Sequence, residues 1–120
     1  MKKLLFFLLL LLTTATFSSA QGNLQFNQVV NFTLIGITPL NFTVPAGKVW
    51  KIEAVGAEST NTPEVHLRNT SNQPIATFYP AGTYHSPLPY WLNSGFSGNF
   101  YLLNSSSYRG SVSIIEFNVL

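Results

Sequence analysis

The chain has 120 residues, with six Lys and Arg, four acidic residues that are all Glu, two His and no Cys. Two of the lysines stand at positions 2 and 3, so the chain from Gln21 onward carries four cations and four anions and is neutral. Four scattered cations cannot form a basic surface, which argues against nucleic acid as a partner, and without disulfides the stability must come from packing.

The N-terminus predicts a cleaved secretory signal peptide over residues 1–20. Two lysines precede a continuous apolar run over Leu4–Leu12, and Ser18 and Ala20 supply the small residues of a cleavage site. A run of nine apolar residues is too short to span a bilayer, which needs about 20. We therefore expect a single domain over Gln21–Leu120 with no membrane span after cleavage. Its expected location is the periplasm, the outer surface or the medium.

The first strand is predicted over residues 23–35, because apolar and polar residues alternate there. A Pro45-Ala46-Gly47 turn then joins a short strand over residues 40–44 to a long strand over residues 48–55. Five residues of the first strand and three of the long strand fall on the predicted core faces: Leu24, Phe26, Val30, Phe32 and Leu34, then Trp50, Ile52 and Ala54.

The rest of the chain predicts more short strands. Prolines at positions 80, 87 and 89 exclude the segment between them from the centre of a sheet, and a Gly-Ser-rich turn is predicted through Gly98. No window has the spacing of an amphipathic helix. The further strands are predicted as a hairpin over residues 64–79 and as segments 90–92, 100–104 and 109–120. Seven or eight short strands predict an all-β fold, a small antiparallel β-sandwich or jelly roll.

Three segments of these strands carry a resemblance to known proteins. Phe42–Ile52, Leu88–Leu92 and Ser113–Leu120 are similar to the TVPxGKxWKI, PxWL and IEFN patterns of small exported all-β proteins of Bacteroidota-type bacteria. The resemblance covers most of residues 42–120 and implies an all-β fold. That group has no settled activity, so the resemblance implies no catalytic or binding residues. The turn over Asn93–Gly95 is a variant of the pattern.

The sequence offers little for catalysis. Since Asp is absent, a Ser-His-acid triad would need a Glu. The segment around Ser97 is not a nucleophile elbow, because Asn99 stands where the second Gly of that motif should be. Two of the four Glu could form a glycosidase pair, but Glu53 lies near Lys51 on a strand face and fits a cross-strand ion pair better. We therefore predict that the protein is not an enzyme and has no catalytic residues.

A metal or cofactor is not expected either. His66 and His85 are the only two histidines, they are 19 residues apart, and no cysteine accompanies them. We expect each to be a solvated histidine at a strand edge.

Aromatic residues in the Pro-rich segment form the candidate binding site. Aromatic faces stack on sugar rings, and Asn, Ser and Thr side chains bond hydroxyl groups. The alternative is that Trp91 and Leu92 plug one end of the sandwich, and this interpretation is favoured for Trp91. Neither interpretation is favoured for Tyr84 and His85. The candidate ligand-binding residues are Tyr79, Tyr84, His85, Tyr90 and Trp91.

Two functional hypotheses follow. In the first, the protein is an exported, non-enzymatic β-sandwich that binds a glycan or an envelope protein at the cell surface through these aromatic residues. In the second, it is a structural subunit that associates with itself or with an outer-membrane complex. Exposed strand edges are templates for pairing, so the second hypothesis places the contact on the long predicted strands 23–35 and 109–120.

Overall fold

The structure is a computed structural model that describes residues 23–58, 63–80, 84–103 and 108–120. The predicted signal peptide and its cleavage site lie outside these residues, as do parts of the predicted loops after Glu58, Pro80 and Leu103. Within the described residues, no helix has the length and apolar character needed to cross a membrane.

Eight strands form two antiparallel sheets of four strands each. In chain order they are β1 (Leu24–Ile35), β2 (Leu40–Thr43), β3 (Lys48–Ala57), β4 (Glu64–Asn69), β5 (Pro74–Phe78), β6 (Tyr90–Leu92), β7 (Ser97–Leu103) and β8 (Arg109–Val119). The first sheet has the order β1-β8-β3-β6 and the second the order β2-β7-β4-β5. Every connection except the β4–β5 hairpin passes between the sheets, as in a jelly roll. The predicted fold class is confirmed.

The core between the sheets is centred on aromatic rings. Phe42 stacks on Phe100 with ring centroids 4.7 Å apart and on Trp50 at 5.4 Å. Phe32 packs against Trp50 at 5.7 Å. Trp50 is 5% exposed and Ile52 fully buried, which confirms the predicted core face of this part of β3. These large rings supply the buried apolar area that a domain without disulfides needs.

A β-bulge at Asn27 divides β1 into two halves. Phe26 pairs with Phe117 and Gln28 pairs with Glu116, so the extra residue lies between two consecutive pairs. Consecutive residues of β8 point to opposite faces, and therefore Phe26 faces away from the core while Gln28 faces inward. The prediction that all five apolar residues share the core face is therefore wrong for two of them. Leu24 and Phe26 are exposed, whereas Val30, Phe32 and Leu34 pack in or against the core.

A second bulge, at Glu53, changes which side chains of β3 face the core. The register with β8 shifts between Ile52 and Ala54. Ala54, predicted to be in the core, is exposed, and Val55 and Ala57 pack against the core instead. Strict alternation thus fails in both strands at a single inserted residue.

The predicted turn through Gly98 is also corrected. β7 begins at Ser97, and Gly98 is buried inside the second sheet, where it pairs with Phe42 on one side and Asn69 on the other. A Cβ atom at this position would lie 2.2 Å from the carbonyl oxygen of Arg68. Gly98 therefore serves the close approach of two backbones rather than a turn.

Candidate binding surface

The structure does not bring the five predicted binding residues to one place. Tyr90 and Trp91 are neighbours in β6, so their side chains point to opposite faces of the sheet. Tyr90 is half-buried and packs edge-on against Phe78, with ring centroids 6.2 Å apart. Trp91 is 47% exposed, so its interpretation as a plug of the sandwich is wrong. Leu92, at 2% exposure, is the core residue of this strand.

Tyr79 and Tyr84 form a separate pair, with ring centroids 5.1 Å apart. The backbone N–H of Tyr79 donates a 2.7 Å hydrogen bond to Oγ of Ser86, which closes the loop between them. Tyr84 and His85 are exposed. Their role as binding residues stays a prediction, but they share no contact with Trp91, which stacks on Phe117 instead.

An apolar surface lies on the outer face of the first sheet and crosses all four strands. Directly opposite residues of an antiparallel pair share a face. Phe117 therefore shares this face with Phe26 on one side and Val49 on the other. Ile115 in turn shares it with Val29 and with Lys51, whose partner in β6 is Trp91. Val119 faces the same way as Phe117 and pairs with Leu24. We call the apolar residues of these three rows the outer patch: Leu24, Phe26, Val29, Val49, Trp91, Ile115, Phe117 and Val119.

The most exposed members of the outer patch lie on β1. Phe26 is 60% exposed and Val29 is 56% exposed. Leu24 and Val119, which pair with each other, are also exposed. Contiguous apolar surfaces of this kind on a folded domain mark interaction sites more often than single exposed residues do.

The charge within this face is neutralised locally. Lys51 forms an ion pair with Glu53, the bulge residue, along the same strand. Its ammonium group also lies 5.6 Å from the centroid of the Trp91 ring. The rings of Trp91 and Phe117 stack with centroids 5.8 Å apart, so one face of the indole is already covered. The prediction of a cross-strand ion pair is wrong, because Glu53 pairs with Lys51 of its own strand.

The sequence of β8 already indicates an apolar outer face. In β8 both parities are apolar, with Ile114 facing the core and Ile115 and Phe117 facing outward. A strand with apolar residues on both parities is typical of sheets that are covered on both faces. In β6, Tyr90 and Leu92 face the same side of the sheet and Trp91 faces the opposite side.

A buried carboxylate lies on the inner face of the same sheet. Glu116 is 3% exposed, and the indole N–H of Trp50 donates a 2.7 Å hydrogen bond to its Oε2. The side-chain amides of Asn27 and Gln28 donate to its Oε1 at 2.6 and 3.0 Å. The bulge allows these two consecutive residues to reach one carboxylate oxygen.

The electrostatics around Glu116 keep it ionised. Burial raises the pKa of Glu116, but the hydrogen bonds from Trp50, Asn27 and Gln28 and the charge of Lys48 outweigh burial and hold the pKa below its ordinary value of 4.5. The arrangement holds a fixed anion that accepts hydrogen bonds and stabilises the fold.

The two histidines are placed differently. His66 lies on β4, which has β5 and β7 as neighbours, so its expected position at a strand edge is wrong. Its Nε2 lies 2.9 Å from Oε2 of Glu64. His85 is exposed. Within the described ranges, no three His, Cys, Asp or Glu side chains gather into a group that could hold a metal ion.

A polar cleft of about 460 Å³ lies beside β2 and β7. Its polar lining consists of neutral side chains: Asn41, Thr43, Thr70, Asn72, Ser97 and Asn99. Asn99 is 3% exposed and donates a 3.0 Å hydrogen bond to Oδ1 of Asn72. Its own Oδ1 is buried without a partner in the described part of the chain, so the cleft cannot offer that acceptor to a ligand without rearranging. We regard the cleft as secondary to the outer patch.

A comparison of the chain with models of known protein families and with curated proteins gives no match. The resemblance to exported bacterial proteins stays a prediction.

Proposed function

We propose that this chain is an exported, non-enzymatic binding module that binds a partner protein through the outer patch. The observation that carries the proposal is the exposed, neutral, apolar face that crosses all four strands of the first sheet. The predicted signal peptide supports export, and the three hydrogen bonds that hold Glu116 ionised support a structural rather than a catalytic use of the buried carboxylate.

The chemistry of the outer patch favours a protein over a glycan. Most of its members are aliphatic, and a sugar needs hydrogen-bonding groups beside the aromatic ring on which it stacks. One face of Trp91 is covered by Phe117. Lys51, the cation that lies between Ile115 and Trp91, is paired with Glu53. An apolar centre with aromatic residues and little free charge is the composition of a protein interface core.

The proposal is tested by comparing two double variants, each of which removes two exposed apolar side chains. Phe26→Ser with Trp91→Ser removes two exposed rings from the outer patch. Ile37→Ser with Ile75→Ser removes two exposed apolar side chains elsewhere and serves as the control. Envelope proteins captured by the wild-type chain are purified, and their dissociation constants for wild type and both variants are measured by calorimetry.

We expect the patch variant to weaken binding about tenfold or more and the control to bind as wild type does, because exposed aromatic anchors dominate interface energies. Equal binding by all three proteins would contradict the proposal. Binding to an arrayed glycan that survives the patch variant would favour a glycan module instead.

A further inference from the structure

We infer that the free edge of β1 pairs with β1 of a second copy of this chain, so that two first sheets join into one continuous eight-stranded sheet. This inference uses a different surface from the outer patch and does not depend on the proposed function.

The topology leaves one long strand edge unpaired. β1 ends the order β1-β8-β3-β6, and within the described ranges β8 is its only neighbour in the sheet. The prediction of an exposed edge on strand 109–120 is wrong, because β8 lies between β1 and β3. β1 has 12 residues, whereas the other edge strands of the described sheets, β2, β5 and β6, have four, five and three. A strand edge exposes a row of backbone N–H and C=O groups that can pair with another strand.

The edge of β1 lacks the usual protections. Leu24–Ile35 contains no charged residue and no proline, whereas β5 begins with Pro74. Short length, lysine, proline and bulges are the features that keep natural edges from pairing, and β1 has only the bulge at Asn27. Beyond that bulge, Gln28–Ile35 pairs with β8 without a further register shift. This regular segment of eight residues is the part of the edge that can accept a strand.

One symmetric register of the segment places Val30 opposite Phe32 and Val29 opposite Thr33 of a second copy. Directly opposite residues of an antiparallel pair share a face, whereas neighbours in one strand face opposite ways. A two-fold axis between two copies of the strand must therefore place one residue directly opposite the same residue of the other copy. An axis at Phe32 would bring together two rings that already pack in the aromatic core. An axis at Asn31, which is exposed, sets two amides opposite each other and pairs Val30 with Phe32 of the other copy. No like charges meet in this register, because the segment has none.

Pairing through β1 would orient the outer patches of the two copies. The two-fold axis is perpendicular to the joined sheet, so the outer patches of both copies face the same side. A dimer would present two identical apolar surfaces on one face and bind a repeated partner with higher avidity than one copy can.

The absence of cysteine from the sequence makes the register directly testable. Asn31→Cys puts a single thiol on the proposed axis. Opposite Cα atoms in an antiparallel pair are about 4.5–5.5 Å apart, which lies within the range of a disulfide. Ile75→Cys, an exposed position on the edge strand β5, is the matched control. With protein purified after expression of the full chain, we expect a disulfide-linked dimer from Asn31→Cys and a monomer from Ile75→Cys.

A second variant tests the association itself. Asn31→Lys sets two ammonium groups opposite each other and should raise the dimer dissociation constant, measured by sedimentation equilibrium, about tenfold or more. Asn31 is exposed and its Oδ1 accepts a hydrogen bond from Oγ of Ser113, so the urea midpoint of dilute monomer should fall only slightly. A wild-type chain that stays monomeric at about 1 mM would overturn the inference. So would a dimer that withstands Asn31→Lys, or one that Phe26→Ser abolishes, since the latter would stack through the outer patch.

Discussion

The indole N–H of Trp50 donates a 2.7 Å hydrogen bond to Oε2 of Glu116, and both side chains are almost fully buried. The contact joins the aromatic core to the carboxylate that organises the inner face of β1 and β8. A buried carboxylate that loses a donor keeps its desolvation cost, so the loss of this single bond should be measurable.

Trp50 contributes both packing and a hydrogen bond, and two substitutions separate them. Trp50→Ala should lower the free energy of unfolding by about 3–5 kcal/mol, because it empties a large buried volume. Trp50→Phe keeps an aromatic ring but removes the donor to Glu116, and should cost about 1–3 kcal/mol. Urea unfolding measures both. Trp91→Phe, at an exposed position, is the control, and a cost of Trp50→Phe no larger than that of the control would contradict the role of the bond.

The stability of the fold should depend on the ionisation of Glu116. Its pKa in the folded protein lies below the ordinary value of 4.5, so the folded state favours the charged form. The stabilisation is present above pH 4.5 and is lost as the pH falls through the lower folded pKa. Urea midpoints measured between about pH 7 and pH 3 should therefore fall more steeply for wild type than for Glu116→Gln. Parallel curves for the two proteins would show that Glu116 does not contribute.

Gly98 should be intolerant of any side chain. A Cβ atom there would lie 2.2 Å from the carbonyl oxygen of Arg68, so the backbones of β4 and β7 would have to separate. We expect Gly98→Ala to cost more than about 2 kcal/mol of unfolding free energy. Gly95→Ala is the comparison. It meets no atom within 4 Å but has a φ of +80°, and it should cost only about 1 kcal/mol. Equal costs would mean that the strands adjust to the added atom.

The outer patch should determine how the protein adheres to apolar surfaces. Phe26→Ser with Trp91→Ser should shorten retention on a hydrophobic interaction column while lowering the free energy of unfolding by less than about 1 kcal/mol, because both rings are largely exposed. Ile37→Ser with Tyr84→Ser should change retention less, since these residues lie outside the patch. Unfolding of the patch variant would show that the two rings stabilise the sheet.

Tyr84 and His85 should be dispensable for folding. Both are exposed, and Tyr84→Ala with His85→Ala should leave the unfolding free energy within about 0.5 kcal/mol of wild type. A calorimetric melt measures this. Loss of binding to arrayed glycans in the same variant would show that the loop, rather than the outer patch, is the binding site.

The fold followed from local patterns, because alternation and turn residues specify strands within a few positions of the chain. Pro45-Ala46-Gly47 and the Asn-rich turn between β4 and β5 both lie where turn chemistry predicts them. Local patterns could not predict which side chains on either side of Asn27 and Glu53 face the core. A bulge is fixed by the register with β8, which lies far away in the sequence.

The outer patch and the burial of Glu116 could not be predicted from the sequence for the same reason. Phe26 and Trp91 are 65 positions apart in the sequence and belong to one surface only because β8 and β3 lie between their strands. Glu116 was one of four glutamates, and nothing local separates it from Glu53. Its three donors come from β1 and β3, so its burial is a property of the assembled sheet.

The bulge at Asn27 allows folding and recognition to change independently within one strand. Val30, Phe32 and Leu34 contribute to the core, and substitutions there alter stability. Leu24 and Phe26 lie on the other side of the bulge and contribute almost nothing to the core. New side chains at these two positions can therefore change the chemistry of the outer patch while the sandwich beneath it stays the same.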